Sequence, residues 1–197
     1  MTARLAALAL LVVPALAMAE PPKAVVDGKY QEIKKVLDTD KTDDGVRQKI
    51  TAVLESFTDF DEFSKLTLKG SWDTLNPKQR TDFTARFRKL IHKSYTKRFH
   101  ANQAFSVGFV GEPQVVGDKA LVKTKVTSGK TTAEVSYKLL TTPAGAWRVY
   151  DIVVDEVSLV LNYRNQFSKI MKKDGFDTLL SKMQQKIEKG SSDIEEP

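Results

Sequence analysis

Apolar residues in the first third of the chain recur at helical spacing. Val26, Tyr30, Ile33 and Leu37 mark an amphipathic helix between Lys23 and Leu37. After a polar break from Asp38 to Asp44, Val46, Ile50, Val53, Leu54 and Phe57 mark a second. Phe57, Phe60, Phe63 and Leu66 continue on a three-residue step, which predicts a short aromatic helix stopping near Gly70. Asn76, Pro77 and Gln79 form a strong helix start: the cap side chain accepts backbone N–H bonds, and proline at the first helical position forfeits none. From there the stripe Phe83, Phe87, Leu90, Ile91, Tyr95 and Phe99 predicts a long helix reaching about Phe99. Its other faces carry Lys78, Arg80, Arg86, Arg88, Lys89, Lys93, Lys97 and Arg98, opposed only by Asp82, so one helix supplies a basic surface.

Between Ala104 and Val154 the period falls to two. Candidate strands are Ala104 to Val110, Lys119 to Thr127, Thr132 to Thr141 and Ala146 to Val154, separated by glycine-containing turns. The third puts Ala133, Val135, Tyr137 and Leu139 on one face and polar residues on the other, as a half-buried strand requires. The fourth is apolar on both faces apart from Arg148 and Asp151, which predicts a central position with cover on its second face. The expected cover is a C-terminal helix pair, with stripes Leu159, Val160, Tyr163, Phe167, Ile170, Met171 and Phe176, Leu179, Leu180, Met183, Ile187 parted at Gly175. Ser158 is a suitable cap for the first of these. The expected fold class is α+β: a twisted antiparallel sheet of about four strands wrapped by N- and C-terminal helices.

The ends of the chain have another character. Arg4, the apolar run Leu5 to Leu16 and the small-residue site Ala17-Met18-Ala19 read as a secretory signal over residues 1–19, so a mature chain is expected to begin at Glu20. Residues 20–189 are then one domain, and the polar, acidic stretch 190–197 is expected to be disordered. With no cysteine, an exported chain has no disulfide framework, thiol catalysis or thiolate metal site, and its stability must come from packing. The formal charge is +6 on the whole chain, which favours acidic partners. Export argues against nucleic acid, and the aromatic residues fall on apolar stripes instead of among the lysines as stacking platforms.

Catalytic patterns are missing: there is no Gly-x-Ser-x-Gly elbow, His-Glu-x-x-His pair, P-loop or dinucleotide-binding glycine pattern. His92 and His100 lie about 12 Å apart along a helix axis, too far to share a metal unaided, and are expected at the surface. Asp151 and Asp155 could serve as a general acid and base. Equally, Asp151 could accept hydrogen bonds from a neighbouring arginine or backbone group while Asp155 turns the chain into the next helix. No catalytic residue, metal or cofactor is expected. The surplus of long apolar faces fits either a filled core or a cavity wide enough for acyl chains.

Three stretches resemble the MlaC family, the periplasmic phospholipid-binding component of the Mla lipid-transport system, also called the toluene-tolerance auxiliary family. The first is Asp59-Phe60-Asp61-Glu62-Phe63-Ser64 with Leu68, Gly70, Trp72 and Leu75-Asn76-Pro77-Lys78-Gln79, followed by Phe83 and Phe87. The second, and most specific, is Trp147-Arg148-Val149-Tyr150-Asp151-Ile152-Val153-Val154-Asp155 running through Val157-Ser158-Leu159-Val160 to Asn162-Tyr163-Arg164 and Gln166-Phe167. The third is Gly175-Phe176 with Leu179-Leu180, Met183 and Lys186. Glu156 departs from the pattern, since the family commonly has glycine before Val157-Ser158.

The resemblance implies a soluble periplasmic carrier whose sheet and helices enclose an apolar cavity for acyl chains, maintaining outer-membrane lipid asymmetry without a covalent step. It also implies partners: a phospholipid ligand, an inner-membrane ABC transporter complex with a substrate-binding ring, and an outer-membrane lipoprotein–porin complex. The inward stripes nominate Tyr95, Phe99, Val135, Tyr137, Tyr150, Ile152, Val154, Val160, Tyr163 and Phe167 for the cavity. Arg86, Lys89, Lys93 and Lys97 are the candidate docking or headgroup surface. Asn162 and Arg164 are expected to pin the C-terminal helix onto the sheet. Alternatives are a hopanoid-type cargo, a small Asp-dependent enzyme and a purely protein-binding adaptor.

Overall fold

The stripe Val26, Tyr30, Ile33 and Leu37 is the buried side of α1 (Pro22–Thr39) in a computed structural model that describes residues 20–189. The expected signal and acidic tail, residues 1–19 and 190–197, lie outside the described residues. Helix α2 (Asp43–Phe57) is capped by Thr42, whose hydroxyl accepts from the Gly45 N–H at 3.1 Å, with Asp43 and Asp44 beside the positive end of the helix dipole. Asp59 caps α3 (Phe60–Thr67) at 2.8 Å in the same manner. Asn76 and Gln79 cap each other's backbone at 2.9 and 3.0 Å at the start of α4 (Pro77–Thr96). This helix ends at Thr96, short of Phe99, because the chain turns back through Asn102, which has φ 58° and bonds Leu37 O at 2.9 Å.

The sheet is antiparallel throughout: β1 (Phe105–Phe109), β3 (Lys119–Ser128), β4 (Thr131–Thr141), β5 (Trp147–Val154) and β6 (Val157–Ser158) follow in that spatial order, and β2 (Gln114–Val116) also pairs with β3. Four of these are the strands the alternation predicts. The other two hold three and two residues, too few for a period to register. Strand β5 is not central: it lies one place from the edge, flanked by short β6. It is apolar on both faces because α3 and α5 (Leu159–Lys189) pack against it. Helix α5 is two helices joined at Gly175, whose φ of 80° and ψ of 179° break the ladder where the stripes part.

Strand β5 carries one irregularity within it and is followed by another. Lys138 pairs with Asp151 but Leu139 pairs with Val149, so Tyr150 is the extra residue of a bulge. Next, Asp155 and Glu156 have φ of 46° and 68° between the paired residues Val154 and Val157, forming a tight two-residue turn. Asp155 suits the turn, since its carboxylate accepts from the Glu134 N–H at 2.9 Å and its own N–H donates to Glu134 O. Glu156 does not. A left-handed non-glycine residue costs about 1–2 kcal/mol, and glycine would return part of that as chain entropy lost on folding. Glu156→Gly is therefore expected to raise stability by up to about 1 kcal/mol, read as a higher urea midpoint at unchanged slope.

Three apolar clusters hold the described residues together. Helices α3, α4 and α5 share one around Phe83, Phe87, Tyr163 and Phe167. Helix α1 and Phe57 pack on the inner face of the sheet against Val122, Leu139 and Val149. Helices α1 and α2 form the third around Leu37, Val46 and Ile50.

Candidate functional site

An apolar cavity of about 490 Å³ opens where the three clusters meet. Each side of the fold contributes: Val26, Tyr30 and Ile33 from α1, Val53, Leu54 and Phe57 from α2, Phe63 from α3, Ile91 and Tyr95 from α4, and Leu159 from α5. The sheet adds Phe105, Val126, Val135, Tyr137, Ile152 and Val154. Polar lining residues Lys29, Arg98, Gln103, Ser128 and Thr131 all retain solvent exposure and mark the open side. The Gln103 side-chain amide donates a hydrogen bond to Ser128 Oγ at 2.6 Å and ties the turn after α4 to the end of β3 there.

The tyrosine hydroxyls of the α1 and β4 wall are spent on a chain that runs behind it. Thr124 Oγ1 donates to Val135 O at 2.8 Å, so it accepts from Tyr30 OH at 3.1 Å, and Tyr30 OH in turn accepts from Tyr137 OH at 2.6 Å. Burial raises the Tyr30 phenol and pushes that of Tyr137 well above the ordinary value of 10.0. Tyr95, bonded to Tyr163, is raised by burial too. The inner wall is therefore neutral, with its tyrosine hydroxyls satisfied, and suited to hydrocarbon, while the charges of Lys29 and Arg98 stand at the open side.

Of the ten nominated cavity residues, Tyr95, Phe99, Val135, Tyr137, Ile152 and Val154 line this space. The other four do not. Tyr150 has the parity of Ile152 and Val154, but the bulge between them turns it to the opposite face of the sheet, where Val160 also lies, in a second cleft. Tyr163 and Phe167 are fully buried in the helical core, with ring centroids 5.1 and 5.6 Å from Phe87. The stripes of α1 and α2 are plain in the sequence, yet periodicity does not mark them as cavity wall. A stripe shows that a face is covered and not whether the cover leaves a gap. Tyr30, a polar-tipped aromatic in an otherwise aliphatic stripe, is the one signal there.

The basic candidates form a row along α4. Lys89, Lys93 and Lys97 are exposed, and Arg86 donates to Gln184 Oε1 at 3.1 Å. None of them lines the cavity; their neighbour Arg98 does, with its guanidinium 5.4 Å from the Tyr95 ring centre. Asp151 is 2 % exposed and accepts from Lys138 Nζ (2.9 Å), Ser158 Oγ (2.8 Å) and the Val160 N–H (3.0 Å). Ser158 caps α5 by accepting from the Leu161 N–H at 3.1 Å. Arg164 pins α5 to α3 through Leu66 O at 2.9 Å, and not to the sheet, while Asn162 bonds Gln166 within its own helix.

His92 departs from the surface placement expected of it. Its side chain is 14 % exposed, with Nε2 3.2 Å from Glu55 Oε1 and the ring edge-on to Phe60. Burial lowers its pKa below the ordinary 6.5, Glu55 opposes that shift and Arg88 adds to it. The unfolded chain thus binds the proton more tightly, so this contribution to stability is complete above about pH 6.5 and is lost on acidification. His92→Gln should lose less stability than the natural protein between pH 7 and pH 5, compared by urea midpoints. His100, by contrast, is exposed and bonds Asp43 at 2.7 Å.

No group of three or more His, Asp or Glu side chains able to hold a metal occurs among the described residues, and none of their helices is long and apolar enough to cross a membrane. A solved structure of a phospholipid-binding protein from Ralstonia solanacearum, in complex with a phospholipid, is similar with a TM-score of 0.77. The likeness covers 87 % of this chain and 99 % of that one at 18 % identity, and it concerns the fold. The profile of the MlaC protein matches residues 25–185, from α1 through the sheet to the second half of α5. Because that match takes in every element around the cavity, the chain belongs to the MlaC family.

Proposed function

We propose that this protein is a non-catalytic periplasmic carrier that holds phospholipid by its acyl region in the cavity between α1, α2, α4 and the sheet. The observation that carries the reading is the cavity itself, a space of about 490 Å³ with an apolar inner wall in a member of the MlaC family. A methylene displaces roughly the volume of a water molecule, ~30 Å³. The cavity therefore has room for at least one long acyl chain. At about 0.8 kcal/mol per buried CH₂, a sixteen-carbon chain gains on the order of 12 kcal/mol before ordering costs, enough for carriage without a covalent bond. The phospholipid in the Ralstonia solanacearum protein of like fold supports this cargo over a hopanoid. Asp151 supports the non-catalytic reading, because three donors already engage its two oxygens.

Export through residues 1–19 would release the carrier between two membranes, where it would shuttle lipid between an outer-membrane lipoprotein–porin complex and an inner-membrane ABC transporter with a substrate-binding ring, maintaining outer-membrane asymmetry. The test is mass spectrometry of organic extracts from the mature chain purified from the periplasm, alongside Val135→Trp. Val135 is buried on the cavity wall, so an indole there fills the space the lipid needs. Near-stoichiometric diacyl phospholipid in the natural protein is expected, with at least tenfold less in Val135→Trp, which still unfolds cooperatively although it has lost the stabilisation that bound lipid supplies. An empty natural protein would sink the carrier reading; equal lipid in both would place the lipid elsewhere.

A further inference from the structure

The segment from Trp147 to Phe167 supplies only Ile152, Val154 and Leu159 to the lipid cavity. Six of its residues, among them Tyr150, Val160, Leu161 and Arg164, line a second cleft of about 290 Å³. The two spaces lie on opposite faces of the sheet: Val135 and Tyr137 of β4 border the cavity, whereas Lys138 and Leu140, of the alternate parity, border the cleft. The β5 bulge and the turn into α5 build this cleft, so the cavity does not account for them.

Its surface combines apolar contact with uncompensated charge. Leu66, Leu140, Tyr150 and Val160 form the apolar part, and Leu161 beside them is 50 % exposed. Lys138 is paired with Asp151, and Glu62, on the same lining, lies 3.7 Å from Lys65, so Lys119 and Arg164 are the cleft charges without an ion-pair partner among the described residues. Lys123 and Lys125, exposed on the same face of β3 as Lys119, extend the positive side outward. A concave space of this size takes one or two side chains, which a flat bilayer cannot present, and Tyr and Arg are the residue types that most often anchor protein contacts.

We propose that this cleft docks an acidic amphipathic segment of a partner protein, with a leucine-sized side chain against Tyr150 and Leu161 and carboxylates facing Lys119 and Arg164. The complementarity is of charge and shape together, and it does not depend on what fills the cavity. Docking here leaves the open side of the cavity uncovered.

The test titrates ¹⁵N-labelled mature chain with a synthetic twelve-residue amphipathic helix of glutamate and leucine, with the same helix carrying lysine for glutamate, and with phosphatidylglycerol vesicles. The acidic helix is expected to shift the amides of Tyr150, Leu161 and Arg164, and the lysine helix to leave them unmoved. Lys119→Glu and Leu161→Asp, exposed positions on separate elements, should each weaken that binding at least tenfold while the extracted lipid content stays the same. Shifts confined to the α4 row of Arg86, Lys89 and Lys93, no shift at all, or an equal response to the lysine helix would overturn the proposal. A response at the cleft to vesicles alone would replace the protein partner with a membrane surface. An empty cavity in the extraction experiment bears on the carrier reading and leaves this result standing.

Discussion

Replacing Asp151 with alanine should cost about 3 kcal/mol of folding stability, the low end of the range for breaking a buried ion pair. The low end applies because Lys138 is 37 % exposed on its side chain and can rehydrate when its partner goes, whereas the Asp151 side chain is only 3 % exposed. The remaining loss comes from two groups that cannot rehydrate in place: Ser158 Oγ and the Val160 N–H both donate to Asp151 in buried surroundings. Together these bonds fix the start of α5 against β4 and β5, so the carboxylate is a fastening at the junction of three elements. Asp151→Asn keeps the shape and one acceptor oxygen and should lose roughly half as much. Urea unfolding of both variants measures this, with lipid content as the second readout. Normal lipid loading of folded Asp151→Asn supports a positional role, and stability within 0.5 kcal/mol of the natural protein would remove the fastening argument.

The placement of Tyr150 shows where sequence reasoning stops. Alternation gave Tyr150, Ile152 and Val154 one face, and the inference fails only because a single extra residue opposes Lys138 and Leu139. A bulge has no composition of its own, so nothing in the alternation marks it. By contrast, the start of α4 was plain from three residues, because Asn76, Pro77 and Gln79 act within a single turn and need no tertiary context. Glycine at position 175 likewise marks its own break. The position of β5 near the edge was hidden for a different reason: two apolar faces report that both sides are covered, and helices cover a strand as well as a sheet interior does. The same ambiguity explains the cavity list. Stripes say which faces turn inward, but packed and empty interiors share the same periodicity, so Phe167 and Phe99 look alike until the elements are assembled.

Phe87→Ala separates those two kinds of interior and should be the most destabilising of these substitutions, at about 3–5 kcal/mol. Phe87 is fully buried, with ring centroids of Phe63, Tyr163, Phe167 and Phe83 at 5.0, 5.1, 5.6 and 5.8 Å. Truncation leaves a hole surrounded by rings already held by one another, so the site cannot collapse and the full cavity penalty applies. Phe57 is also buried, at 6 % exposure, but it borders the lipid space and its ring contact is with Tyr137 at 5.8 Å. Phe57→Ala enlarges an existing space, so its loss should fall below half that of Phe87→Ala. The lipid readout is expected to reverse the order: Phe87→Ala, measured on its folded fraction, keeps its lipid, while Phe57→Ala changes how much lipid is retained or which chain lengths are held. Equal stability losses with unchanged lipid in both would mean that the space beside Phe57 is ordinary core, and the wall assigned to the cargo would have to be drawn elsewhere.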